Sequence, residues 1–154
     1  MSIDLIVGPM GSGRTALLTK LAHDEYKKGR IIYANYNVKF PHKRFPEDAT
    51  RIKKWWDKCI VVDMAYMLFD SRRRAKKSLI NLIFLANKHG APIIIDAKNV
   101  RYIDKRIREE YTHLYRPSHL NGLIEIMTRC RHKVDEIKIG DVKNLFDTLE
   151  IIKR

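Results

Sequence analysis

The sequence predicts an α/β fold in which a mainly parallel central sheet is flanked by helices on both faces. Three observations carry that expectation. Short apolar runs alternate with stretches of helical periodicity along the chain, which is the βαβ pattern. Two of the runs, "CIVVD" and "APIIIDA", are continuously apolar, as parallel strands buried on both faces are. The first run is followed by a glycine-rich turn that opens the first helix, in "VGPMGSGRTALL" from Val7 to Leu18.

With 154 residues and a hydrophobic fraction of 45%, the chain suits one core, so residues 1–154 are expected to form a single domain. Lys and Arg total 31 against 18 Asp and Glu, a formal charge of +13. That excess favours a polyanionic partner such as nucleic acid, with a solvated basic surface as the alternative that charge alone does not exclude. Two cysteines, Cys59 and Cys130, are too few for a disulfide framework or a structural zinc site, and the six histidines show no ligand spacing. The opening "MSIDLIVG" lacks the basic start and long apolar stretch of a signal peptide, and no run is long enough to span a bilayer. A soluble, intracellular protein is expected. Glutamine is absent while Lys, Arg and Ile abound, a balance that accords with a thermophilic source.

In chain order, "IDLIV" reads as the first strand, "RTALLTKLAHDEYKKG" as the first helix and "RIIYAN" as the second strand. The polar loop "YNVKFPHKRFPEDA" leads through Asp48, read as an N-cap, into "ATRIKKWWDK", where Ile52, Trp55 and Trp56 would share one face of a short, packed helix. "CIVVD" follows as a central strand ending on Asp63. The basic "SRRRAKKS" opens a helix whose Leu79, Ile80, Ile83, Phe84 and Ala86 recur at helical spacing, with "KHG" as its stop. "APIIIDA" is the next strand, "YIDKRIREEYTHLY" reads as helical, and "GLIEIMTRCR" reads as a strand of alternating character. "NLFDTLEII" closes the pattern.

The glycine-rich run matches the phosphate-binding loop G-x-x-x-x-G-K-[ST], except that Arg14 stands where the lysine belongs. A P-loop NTPase fold follows from that spacing in its strand-loop-helix setting. Gly8, Gly11, Ser12, Gly13, Arg14 and Thr15 are the expected ATP-binding residues, with backbone N–H groups from Gly11 to Thr15 converging on the β-phosphate at the positive end of the helix. Thr15 and Asp63 are the expected Mg²⁺ ligands, the first through its hydroxyl and the second through the metal's water shell. Arg14 keeps the charge of lysine but not its shape, because a planar guanidinium is wider and differently directed than an ammonium.

The succession "GPMGSGRT", "YANYNVKFP", "CIVVDMAYML", "ANKHGAPIIIDAKNVRYIDKRIRE" and "LFDTLEII" resembles the DNA-translocase (FtsK/HerA) superfamily of P-loop ATPases. It is most similar to the small ATPases of archaeal viruses and plasmids and to zonula-occludens-toxin-like phage assembly ATPases, over nearly the whole chain. The resemblance implies an ATPase acting on DNA in packaging, translocation or particle assembly, working as a homo-oligomer. Its catalytic set maps onto Arg14, Asp63, Lys98 and Arg108, with Lys98 at a position usually held by a glutamine sensor and Arg108 as a finger reaching across a subunit interface. The family's water-activating glutamate falls on Met64, and a thioether cannot accept a proton. Asp96 is the preferred substitute base, ahead of Asp70, unless it only pairs with Lys98 or Arg101.

The cluster Arg72, Arg73, Arg74, Lys76 and Lys77 suits sequence-independent contact with a DNA backbone. Trp55 and Trp56 are expected to pack rather than stack on bases. Two further readings stand beside the motor. One is a catalytically inactive P-loop scaffold that binds DNA or assembly partners. The other is a nucleoside kinase of the thymidine kinase type, suggested by "GPMGSG" but lacking that family's zinc lasso and "D-E-x-Q-F" motif.

Overall fold

The computed structural model describes residues 2–69, 76–118, 123–128 and 131–136. Among them eight strands form one sheet in the order β3-β2-β4-β5-β1-β6-β7-β8. The strands are β1 (Ile3–Val7), β2 (Ile31–Ala34), β3 (Lys43–Arg44), β4 (Lys58–Val62), β5 (Ile93–Ala97), β6 (His113–Ser118), β7 (Leu123–Met127) and β8 (His132–Glu136). All pairings from β3 to β6 are parallel, and β6, β7 and β8 pair antiparallel. The helices are α1 (Arg14–Lys27), α2 (Lys77–Lys88) and the single turn α3 (Lys105–Arg108).

The continuous apolar runs did become the centre of the sheet. In β1, Ile3, Leu5 and Val7 join one core cluster while Ile6 joins the other, because successive side chains leave a strand on opposite faces. Ile80, Ile83 and Ala86 of α2 cover the first face, and Leu17, Leu18 and Ala22 of α1 cover the second. β5 lies between β1 and β4 in a register that sets Ile93 beside both Ile3 and Ile60. The α2 stop is as expected, with Gly90 in the left-handed region at φ 86 just after the cap residue His89.

Three expectations are corrected. The stretch 49–58 is not a helix: a 3₁₀ turn spans Ala49–Arg51, the chain is extended at Ile52, and Trp55 is buried while Trp56 is 67% exposed. The apolar triplet Ile52, Trp55 and Trp56 mimics one helical face, but off the helix the core takes only the first of the two indoles. The stretch read as "YIDKRIREEYTHLY" divides into a 3₁₀ turn at Val100–Tyr102, the short α3 capped by the Asp104 side chain, and β6. β1 would otherwise leave an unpaired edge, and pairing with it, with Leu114 buried beside Leu5, outweighs helical propensity in 113–115. The proline-containing loop also carries the two-residue β3, which no periodicity can show.

β7 is a strand as expected, and β8 was not anticipated. Asp70, Arg72, Arg73, Arg74, Cys130 and "NLFDTLEII" lie outside the described residues.

The two neighbouring tryptophans separate packing from mere apolarity. Trp55→Ala is expected to cost about 3–5 kcal/mol of unfolding free energy, and Trp56→Ala no more than about 0.5 kcal/mol. Urea denaturation of the two variants measures the difference, and equal losses would contradict this placement of the chain.

Candidate functional site

The carboxyl ends of β1, β5 and β4 meet at one edge, and the glycine-rich loop leaves the first of them. Gly11 and Gly13 adopt φ 81 and 92, a region that side chains resist and that the curl of the loop requires. Ser12 N–H donates to Pro9 O at 3.2 Å, closing the turn. Gly8 stands against it so closely that a Cβ there would lie 2.6 Å from Ser12 Oγ. Gly13 is the cap residue of α1 and provides no side-chain cap, and the first turn of that helix holds no acidic residue. The positive end of the helix is therefore left to an external anion.

Two polar atoms at this place are buried without a hydrogen-bond partner, Ser12 Oγ and Arg14 Nη1. Such an atom costs about 1–3 kcal/mol if nothing satisfies it. A phosphate group offers acceptor oxygens to both, and to the backbone N–H groups beside them, so the residues present fit a nucleotide's phosphates.

Thr15 Oγ1 donates to Asp63 Oδ1 at 3.3 Å, which brings together the two residues expected to serve Mg²⁺. Among the described residues no group of three or more His, Cys, Asp or Glu could hold a metal ion. The pair fits a magnesium site in which phosphates and waters supply the remaining oxygens.

Asp96, on β5, is almost wholly buried. Its Oδ1 accepts the Met64 N–H, its Oδ2 lies 3.8 Å from Arg14 Nε, and its side chain is hydrogen-bonded to that of Asp63. Burial first, and the Asp63 charge second, push the Asp96 carboxyl up, to about 8, while Arg14 and the Met64 N–H pull it back. Two carboxyls this close share one proton more readily than they hold two charges. Asp96 thus meets Arg14, a cation on the loop itself. Met64 is in the left-handed region at φ 52, the one described non-glycine residue there, and that conformation aims its N–H at Asp96.

Residues missed by the sequence reading hold this arrangement from the segment just after β2 and from α1. Asn35 Nδ2 donates to Asp63 O at 2.8 Å, and Asn35 Oδ1 accepts the Asp63 N–H at 2.7 Å. Thr19 Oγ1 donates to Thr15 O at 2.7 Å and meets the Tyr36 hydroxyl at 2.8 Å. The signal available was only the polar Asn35 directly after an apolar strand, which reads as a turn residue. Of the other expected residues, Lys98 is exposed just beyond β5 and Arg108 is half-buried at the end of α3. Arg106 pairs with Asp104, with 2.9 Å between Nη2 and Oδ2. Lys76 and Lys77 are exposed at the start of α2.

A family model described as "Zonular occludens toxin (Zot)" matches residues 2–153. No curated protein matches the chain. Among solved structures, the N-terminal domain of zonular occludens toxin from Neisseria meningitidis is 19% identical with a TM-score of 0.72, over 95% of this chain and 98% of that one. The genome packaging NTPase B204 from Sulfolobus turreted icosahedral virus 2, in complex with ATP-gammaS, is 10% identical with a TM-score of 0.69, over 88% and 96%. B204 of Sulfolobus turreted icosahedral virus, described as a DNA-packaging ATPase, is 12% identical with a TM-score of 0.65, over 88% and 98%. These likenesses establish the P-loop NTPase fold.

Asn35→Ala removes both bonds to the Asp63 backbone and is expected to cost about 1–3 kcal/mol in urea denaturation. A loss below that range would mean that the amide does not anchor Asp63. A second measurement follows from the raised Asp96 carboxyl, in protein free of metal and nucleotide. Between its ordinary value of 3.8 and about 8, folded Asp96 keeps a proton that the unfolded chain has released. Its stabilising contribution is complete below that window and is lost as pH rises through it. The urea midpoint of the wild type should therefore fall, relative to Asp96→Asn, with rising pH across this range.

Proposed function

The chain belongs to the zonular occludens toxin family, and from that premise we propose that it is an ATPase of a virus or mobile element, acting on DNA in packaging, translocation or particle assembly. The observation that carries the proposal is the phosphate cradle: a left-handed glycine loop at a helix start, with Ser12 Oγ and Arg14 Nη1 buried and unpartnered beside the Thr15–Asp63 pair. Neighbours of the same fold are described as a genome packaging NTPase with ATP-gammaS and a DNA-packaging ATPase, which supports the ligand and the process. Among the described residues no helix is long and apolar enough to cross a membrane.

ATP would be held by the N–H groups of Gly11 to Thr15, with Gly8 leaving room for Ser12 and Arg14 reaching the phosphate oxygens. Thr15 and Asp63 would hold Mg²⁺, which neutralises phosphate charge when bound. Arg14 would leave Asp96 for the phosphates, since an oxyanion with more negative charge attracts the guanidinium more strongly than a carboxyl that is partly protonated. Asp96 would take a proton from water in place of the family's glutamate, once the bound cation and the arriving phosphates have drawn off the proton it shares with Asp63. Lys98 would act as the polar sensor and Arg108 across the interface of a homo-oligomer. Lys76 and Lys77 would continue the DNA-contacting patch begun by Arg72, Arg73 and Arg74. The absence of glutamine supports a thermophilic source, and the likeness to the Sulfolobus virus NTPase supports an archaeal viral one.

A second reading, a scaffold that binds ATP without turnover, has one observation in its favour. Asp96 is engaged at once by Met64, Asp63 and Arg14.

Calorimetry with MgATP tests the site. Gly13→Val and Thr15→Ala should each weaken binding at least about tenfold, a difference of about 1.4 kcal/mol; unchanged affinity in both would remove the loop from the site. Steady-state hydrolysis then decides between the two readings. Slow turnover abolished by Asp96→Asn and raised by Met64→Glu, toward the roughly 10²- to 10⁴-fold that a general base provides, identifies the enzyme. No turnover in the wild type, with MgATP affinity intact, identifies the scaffold.

A further inference from the structure

A second concavity, of about 490 Å³, opens away from the phosphate cradle, between β3, the 3₁₀ turn at Ala49–Arg51 and the start of β4. Buried Tyr33 forms part of its wall, and Lys43, Arg51, Lys53, Lys54 and Lys58 surround it. Lys58 opens β4 whereas Asp63 follows its other end, roughly 16 Å of strand at about 3.3 Å per residue. The two sites are therefore separate, and the second does not depend on the loop binding ATP.

Charge at the concavity is unbalanced. Asp48 lines it, but its Oδ2 is engaged by the Arg44 N–H at 3.0 Å. Asp57 is paired with Lys58 at its rim. Lys43 is exposed with its ammonium 6.0 Å over the Tyr33 ring, and Arg51, Lys53 and Lys54 are exposed. Two residues beyond Lys54 stands Trp56, 67% exposed. Arg30 Nη1 donates to its carbonyl oxygen at 2.6 Å and fixes the chain there. An indole this open contributes nothing to the core, and apolar area held in water carries a cost that a stacking partner would relieve.

We propose that this concavity binds the phosphodiester backbone of single-stranded nucleic acid, with Trp56 stacking on a base. Like charges gathered around a concave, low-dielectric wall focus a positive field, and phosphates entering it release condensed counterions. The curvature selects the strand form. A duplex is stiff over about 150 base pairs and presents a convex surface, so it touches only the rim. A single strand bends into the cavity and exposes base faces, which combine with cations and an aromatic ring in sequence-tolerant binding.

The experiment is a salt titration of binding to a labelled oligothymidylate, read by anisotropy and by tryptophan emission, in which Trp56→Ala leaves the signal of Trp55 alone. The wild type is compared with Trp56→Ala and with Arg51→Ala, Lys53→Ala and Lys54→Ala combined. All four side chains are exposed, so urea midpoints should stay at the wild-type value, and MgATP affinity should not change in either variant. The triple variant is expected to bind more than tenfold more weakly and to lower the slope of log affinity against log salt by about 0.7 per lost contact. Trp56→Ala is expected to weaken binding roughly 5- to 100-fold, and wild-type emission should be quenched on binding. The proposal is overturned by equal affinity and slope in wild type and triple variant, which would pass any DNA contact to the stretch around Lys76 and Lys77. It is equally overturned by a duplex that binds as tightly as the single strand, or by polyglutamate that competes as well as the oligonucleotide.

Discussion

The shared register of three parallel strands is the constraint on which the site depends. Ile93 pairs with Ile3 on one side and with Ile60 on the other, so β1, β5 and β4 end at one level. Val62 lies opposite Ile95 and Ile6 opposite Asp96, which brings Asp63, Asp96 and the loop after Val7 to the same edge without any local sequence relation among them. A slip of one residue in β5 would turn Asp96 to the opposite face and put an apolar neighbour in its place. The isoleucines, buried on both faces, would tolerate the slip; what opposes it is Asp96, whose buried carboxyl would lose Arg14, the Met64 N–H and Asp63 together.

That alignment forces two carboxyls together out of water, which isolated charges would not tolerate. The chain relieves it in three ways. Arg14 approaches Asp96, the left-handed Met64 turns its N–H toward the same carboxyl, and the remaining repulsion is met by retaining a proton. Strain at Met64 and an incompletely bonded guanidinium at Arg14 thus occur within one cluster, as is usual where a site is held ready for a ligand. Arginine in the lysine position gains meaning here. Its longer, forked head can approach Asp96 through Nε while Nη1 remains available to another acceptor.

Much of this was legible because it obeys local rules. Continuous apolar runs named β4 and β5, a short apolar run before the glycine turn named β1, helical periodicity named α1 and α2, and glycine spacing named the loop. The failures share a cause: each concerned a segment whose structure is set by a distant neighbour. His113 to Tyr115 carry residues compatible with a helix, yet they pair with β1, more than a hundred positions earlier. Trp55 and Trp56 are alike by composition, and only the surrounding core separates them. Asn35 looks like a turn residue until the sheet order sets β2 beside β4 and its amide reaches the Asp63 backbone.

By itself, the sequence determined that the chain would form a parallel α/β sheet with a phosphate-binding loop at the end of its first strand, because burial pattern and glycine conformation are properties of residues near one another in the chain. The tertiary structure alone decided that Asp96 would stand against Asp63 and Arg14. It also decided that Lys43 would join Arg51, Lys53, Lys54 and Lys58 around one concavity. Both depend on which strands become neighbours, and strand order minimises exposed apolar surface over the whole molecule, a quantity that no short window of residues contains.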